Sequence, residues 1–192
     1  MNRIVFFIII LLTLTGCREE GDAPKPRGFF RIALPEKAYQ TFDTIYPYRF
    51  EYPVYAEFEP DTGDVAERYW GDIVFPEFNG RIHMSYKPLD DREELAGYFE
   101  DARTFVQRHI PKASGIDEET VVYEKDNVYG MLFHIKGREA ASALQFYATD
   151  STDHFLRGAL YFRVPPDNDS LAPVINFIEE DIRHLLSTLA WD

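Results

Sequence analysis

Cysteine is almost missing from this chain: one residue in 192, at position 17. An internal disulfide is therefore excluded, and so is a zinc site built on thiolates. Histidine is sparse and scattered, at His83, His109, His134, His154 and His184, with no metal-ligand spacing, so no metal is expected. Positive charge is also short. Twenty Lys and Arg against 33 Asp and Glu leave a net charge of −13, which disfavours nucleic acid and anionic membrane surfaces as partners. There is no Gly-x-Gly-x-x-Gly or phosphate loop, no internal repeat, and no cofactor is expected. No apolar run reaches the roughly 20 residues that a membrane-spanning helix needs.

Candidate catalytic groups are few. Asp90/Asp91, Glu118/Glu119 and Glu179/Glu180 are sequence neighbours, whereas glycosidic chemistry needs carboxylates set apart in space. Thr149-Asp150-Ser151-Thr152-Asp153-His154 brings Ser, Asp and His together. Six contiguous residues do not generally make a triad, whose members converge from separate elements. The stretch is rich in turn formers and reads as a hairpin loop. No catalytic residue is expected, and the chain reads as non-enzymatic.

What is present begins at the N-terminus. Met1-Asn2-Arg3 is a short basic start, and Ile4 to Leu14 is an apolar run of signal-peptide length. Leu14-Thr15-Gly16-Cys17 closes it and fits the bacterial lipobox, in which the Cys17 sulfur takes a diacylglycerol. Two or three acyl chains anchor stably where one does not. The expected organisation is a lipoprotein signal peptide at 1–16, a tether and extended strap at 17–47, and one α+β domain at 48–192. Arg18 follows Cys17, so the aspartate linked to inner-membrane retention in some bacteria is absent. Glu19, Glu20 and Asp22 resemble an acidic surface-export signal, or form a solvated linker. Either way an outer-membrane lipoprotein is expected, with the leaflet open.

From Pro24 to Pro47 there is neither helical nor strand periodicity, and Pro24, Pro26 and Pro35 favour extended backbone. Phe29, Phe30, Ile32, Leu34, Tyr39, Phe42 and Tyr46 make this strap too apolar for a free linker. It packs on its own domain or docks a partner. Tyr48 to Phe58 alternates apolar and polar residues as a strand, with Pro53 marking an edge or bulge. Trp70 to Phe75 and Arg81 to Lys87 are two more strands, with Asn79-Gly80 as the turn. Asp90 with Glu93 caps a helix whose stripe is Leu95, Tyr98, Phe99, Ala102, Phe105, Val106 and His109. Residues 121–124, 128–136, 143–149 and 156–164 read as four further strands. Asp169 or Ser170 caps the last helix, whose stripe runs from Leu171 through Val174, Ile175, Ile178, Ile182, Leu185 and Leu186 to Leu189.

The fold class that follows is α+β: a largely antiparallel sheet of about seven strands with two long helices, βββ-α-ββββ-α. This order resembles the Mog1/PsbP-like arrangement. One face of the sheet would carry Tyr55, Gln145, Tyr147, Arg157, Tyr161 and Arg163, residue types that anchor interfaces. It is free for a partner if both helices cover the other face, and half-buried if one helix lies on each. A rival reading is an envelope enzyme or a glycan or lipid binder, with a pocket around His83, His134 or the Asp150–His154 loop; His83 and His134 could meet across the sheet.

Several stretches together are similar to the gliding motility lipoprotein GldD family: Pro24 to Ile32, Phe75-Pro76-Glu77-Phe78-Asn79, Ser85-Tyr86-Lys87-Pro88, and most specifically Phe155 through Pro165-Pro166 and Asp169 to Val174, continuing to His184. The resemblance implies a cell-envelope accessory of the gliding machinery alongside the type IX secretion apparatus, docking on other envelope proteins, with no enzymatic activity. Cys17 is the one functional position it carries over. It also implies hosts that O-glycosylate exported proteins at Asp followed by Ser or Thr and an apolar residue or Thr, which Thr44, Ser151 and Ser170 satisfy.

Overall fold

The computed structural model describes residues 32–192; the signal peptide, Cys17 and the tether lie outside the described residues. Seven strands form one antiparallel sheet in the order β3-β4-β5-β9-β8-β7-β6. They are β3 (Glu57–Pro60), β4 (Gly71–Phe75), β5 (Gly80–Pro88), β6 (Gly115–Tyr123), β7 (Val128–Lys136), β8 (Ser142–Thr149) and β9 (His154–Phe162). A smaller antiparallel sheet joins β1 (Tyr39–Phe42), β2 (Tyr48–Pro53) and β10 (Ala190–Trp191) in the order β1-β2-β10. Helix α1 (Arg92–Gln107) separates β5 from β6, and α2 (Asn168–Thr188) follows β9.

Helix α2 and the small sheet cover one face of the large sheet. The stripe Val174, Ile178, Ile182, Leu185 and Leu186 packs with Ile73, Ile82, Met84, Leu132, Phe146, Leu156 and Leu160 in the main core. Fully burying each such side chain contributes about 1.5–3 kcal/mol. Cross-strand partners Met84, Gly158 and Phe146 lie side by side in this core. A Cβ on Gly158 would stand 2.2 Å from Phe146 Cζ, so the phenyl ring takes the space a side chain would need. Helix α1 lies on the opposite face, where Val106 packs with Phe133, Ile135 and Ala140, and Ala102 packs with Leu89 and Phe155.

Several local expectations shift. Tyr48 to Phe58 is two strands, not one: the chain turns after Pro53, and β2 and β3 join different sheets. The α1 cap sits one residue later than the spacing indicated, with the Asp91 carboxylate accepting from Glu93 N–H and Glu94 accepting from Asp90 N–H. For α2 the cap position is Asp167, not Asp169 or Ser170, which both lie inside the first turn. The β4–β5 connection is a short 3-10 turn over Pro76–Phe78 closed by left-handed Asn79, and Glu124–Asp126 with left-handed Asn127 repeats it between β6 and β7.

The described part of the strap is attached. β1 pairs with β2 from Tyr39 opposite Pro53 to Phe42 opposite Phe50, and Phe42 is buried. Ahead of β1, the Lys37 ammonium donates to Asp181 Oδ1 at 2.6 Å and to the Phe177 carbonyl at 2.6 Å, 3.4 Å from the Phe177 ring centroid. Asp181 also accepts from the Tyr55 hydroxyl at 2.7 Å and the Tyr39 hydroxyl at 3.2 Å. Burial and the Asp181 charge push the Tyr39 hydroxyl up to about 12. Residues 37–42 of the strap thus pack on the domain that follows them.

Candidate functional site

Helix α1 is shorter than the sheet it covers and rests over β7, β8 and β9. The register carries Asp72, His83, Ala159, Gln145 and Phe133 across β4, β5, β9, β8 and β7 on that same face, and Ser85, Arg157, Tyr147 and Met131 in a parallel row. Beside α1, the β4–β5–β9 part of this face forms the floor of a cleft of about 430 Å³. Asp72, His83, Ser85, Lys87 and Arg157 line it, with Tyr98, Asp101 and Phe105 from α1 and Trp70 from the loop before β4.

Most polar groups in the cleft are paired. The Asp72 carboxylate accepts from Arg81 Nη1 at 2.6 Å and lies 2.6 Å from His83 Nδ1. Lys87 pairs with Glu67 and sits 5.5 Å from the Trp70 ring, which is fixed by its Nε1–H donating to the Tyr86 carbonyl at 2.9 Å. Arg157 differs. Its Nη2–H donates to Gln145 Oε1 at 2.8 Å, its guanidinium stands 4.3 Å from the Phe105 ring centroid, and burial pushes its pKa down.

The residues expected to form one exposed face divide. Gln145, Tyr147, Arg157 and Tyr161 do share a face, but Tyr147 is roofed by Phe99 of α1 at 5.1 Å between ring centroids and stacks on Phe155. Burial raises its hydroxyl pKa. Tyr55 belongs to the other side, beneath α2 against Phe177 and Asp181, because the turn after Pro53 carries it there. Arg163, just past β9, is exposed. One helix on each face therefore roofs Tyr147, leaves Arg157 and Tyr161 half-buried beside the helix, and leaves Arg163 exposed.

His83 and His134 do not meet: His83 is on the α1 face, and His134 faces α2, 3.1 Å from Glu179 Oε1. The Asp150–His154 loop is held together by Asp150, whose carboxylate accepts from the N–H groups of Thr152, Asp153 and His154 and from the Thr152 hydroxyl. Burial opposes its ionisation, yet these bonds keep its pKa below the usual range. His154 is turned away, with Nδ1 2.8 Å from the Tyr86 hydroxyl and its ring stacked on Trp191. The Asp150 carboxylate is thus spent on the turn, and the His154 ring on Tyr86 and Trp191. Among the described residues no three His, Cys, Asp or Glu side chains converge as a metal site.

Arg183 ties α2 to the β6 edge, reaching both Glu119 oxygens at 2.6 and 2.7 Å and Glu179 Oε1 at 2.8 Å. The Arg183 hydrogen bonds lower the Glu119 pKa; at Glu179 burial pulls upward, but Arg183 and His134 outweigh it. A depressed carboxylate stabilises the fold above its unfolded pKa and loses that contribution as pH falls. Arg183→Met should cost about 1 kcal/mol at neutral pH, given the half-exposed site. In urea titrations its difference from wild type should narrow below about pH 4; a gap unchanged in acid would refute the charge pairing.

The gliding motility lipoprotein GldD family matches residues 19–191, and a prokaryotic membrane lipoprotein lipid attachment site matches residues 1–17. The chain belongs to the gliding motility lipoprotein GldD family. No curated protein matches it significantly. The solution structure of cyanobacterial PsbP (CyanoP) from Synechocystis sp. PCC 6803 is similar, with a TM-score of 0.50, 11% identity, and 85% of this chain and 98% of that chain covered. At that identity the likeness concerns the fold alone, and it agrees with the PsbP-like element order.

For this GldD-family chain the lipid attachment site ends at Cys17, so the anchor and the family domain together account for nearly the whole sequence. Of the three candidate glycosylation positions, Thr44 is exposed between β1 and β2, Ser151 is half-buried at a left-handed φ of 68°, and Ser170 sits in the first turn of α2 with its hydroxyl 3.2 Å from Asp167 Oδ2. No spacing in the sequence marks Asp72 or Trp70 as cleft residues or Lys37 as the partner of Asp181. Asp181 did leave a signal, a carboxylate set between Ile178 and Ile182 in an otherwise apolar stripe.

Proposed function

We propose that this GldD-family lipoprotein is a non-enzymatic accessory of the gliding and type IX secretion machinery that docks on other envelope proteins at the outer membrane. The observation that carries the reading is the family match from residue 19 to 191 joined directly to a lipid attachment site. The end of β9 supports a docking role: half-buried Tyr161 is followed by exposed Arg163 and Val164, an apolar side chain 39% open to solvent. Aromatic and arginine side chains at an accessible edge are the types that anchor interfaces.

The test is crosslinking in the host, followed by mass spectrometry. Arg163→Glu should deplete at least one wild-type crosslinked partner severalfold while the protein level holds. An unchanged partner set would exclude this end of the sheet. Arg18→Asp should move the protein toward the inner membrane in density gradients if lipoprotein sorting follows the residue after Cys17.

A further inference from the structure

The docking surface at the end of β9 leaves the cleft beside α1 without a role. We propose that this cleft binds a small amphipathic anion, its carboxylate or phosphate held by Arg157 and its apolar or ring body lying against Phe105, Tyr98 and Trp70. Its size suits such a ligand: about 430 Å³ lies in the range of small-molecule sites, which are mostly apolar with a few placed polar groups.

Arg157 is the group that selects for an anion. Arg49, Arg81, Arg138 and Arg183 each form an ion pair with a carboxylate. Arg68, Arg92, Arg103, Arg108 and Arg163 form none but are exposed, so water compensates them. Arg157 is half-buried and, among the described residues, has no carboxylate partner; the side chain that hydrogen-bonds to it is the neutral Gln145. A guanidinium has five N–H donors in a planar fork that matches a carboxylate or phosphate. An uncompensated cation in partly apolar surroundings is costly, and an incoming anion removes that cost.

The neighbours hold Arg157 in readiness. Gln145, 1% exposed, points its Oε1 at Arg157 and leaves its Nε2 as a buried amide nitrogen without a partner. The opposite amide orientation would set N–H donors against N–H donors, so the unpaired nitrogen is what orienting Arg157 entails. The Arg157 guanidinium carbon lies over the Phe105 ring, and Asp72 is engaged by Arg81 and His83. Asp61 and Asp101, exposed in the lining, add negative charge that disfavours polyanions. The inference stands apart from docking at Arg163.

The experiment uses the full lipidated protein in phosphatidylcholine nanodiscs, titrated calorimetrically with naphthoate, naphthyl phosphate and uncharged naphthamide. Both anions should bind, at least about tenfold more tightly than the amide. Arg157→Gln should abolish that preference while keeping or raising the unfolding temperature, and Phe105→Ala should weaken all three probes. Equal binding of naphthamide, anion binding unaltered in Arg157→Gln, or no binding at millimolar probe would each overturn the proposal. Adding phosphatidate to the bilayer distinguishes the source: competition with naphthoate assigns a lipid headgroup, its absence a soluble anion, and both support the site.

Discussion

Cys17→Ala should abolish palmitate incorporation and make the protein extractable from membranes by alkaline carbonate. Three observations converge on this outcome. The lipid attachment site ends at residue 17. No helix among the described residues is long and apolar enough to cross a bilayer. The apolar run from Ile4 to Leu14 is itself too short to span as a helix, which takes about 20 residues. A lipidated cysteine holds by its acyl chains, each buried CH₂ worth about 0.8 kcal/mol, so removing them removes the grip. An uncleaved signal run this short of a bilayer span should yield to carbonate. Membrane association that resists carbonate in Cys17→Ala, or undiminished palmitate labelling, would show that something other than Cys17 anchors the chain.

Lys37→Met should destabilise the domain by about 3–5 kcal/mol at neutral pH, the range for stranding a buried partner of an ion pair. The substitution leaves the Asp181 carboxylate, whose side chain is 1% exposed, without its cation. Burial already raises the Asp181 pKa, with Lys37, Tyr55 and Tyr39 pulling it down. Without Lys37 it rises further. A raised carboxyl contributes to stability while protonated, below its unfolded pKa, and loses that contribution as pH climbs through its folded pKa. The Lys37→Met penalty should therefore shrink in urea titrations taken from pH 8 toward pH 5. Lys37→Met with Asp181→Leu should recover most of the loss, since an apolar pair of suitable volume replaces a buried ion pair well. A pH-independent penalty would mean that lost packing over Phe177, and not charge, is what Lys37 provides.

The long elements were legible because their patterns are local. The α2 stripe repeats every three or four residues over about five turns, and β5 alternates cleanly from Ile82 to Tyr86. Pro53 in an alternating run points to a bulge or edge within one strand, whereas the chain turns there and changes sheets; that depends on where β10 returns to pair with β2. β6 extends back to Gly115, across Asp117, Glu118 and Glu119, whose charges mask strand alternation but suit an exposed sheet edge. The face that α1 occupies is a nonlocal fact. It decides that Tyr147 is roofed and that Arg157 ends up beside a cleft, and no spacing in the sequence announces it. The lipobox, by contrast, is contiguous and needed no fold to be read.

The attachment of the strap also sets how the molecule would answer a mechanical pull. Tension on the lipid enters the described domain from Ile32 and reaches Lys37 before it reaches β1. β1 and β2 are consecutive antiparallel strands, so force on the free end of β1 peels their hydrogen bonds pair by pair instead of shearing them together. Such a hairpin yields at low load. The clamp of Lys37 on Asp181 and the Phe177 carbonyl lies upstream of the peel and transfers the load to α2, through the core of the domain.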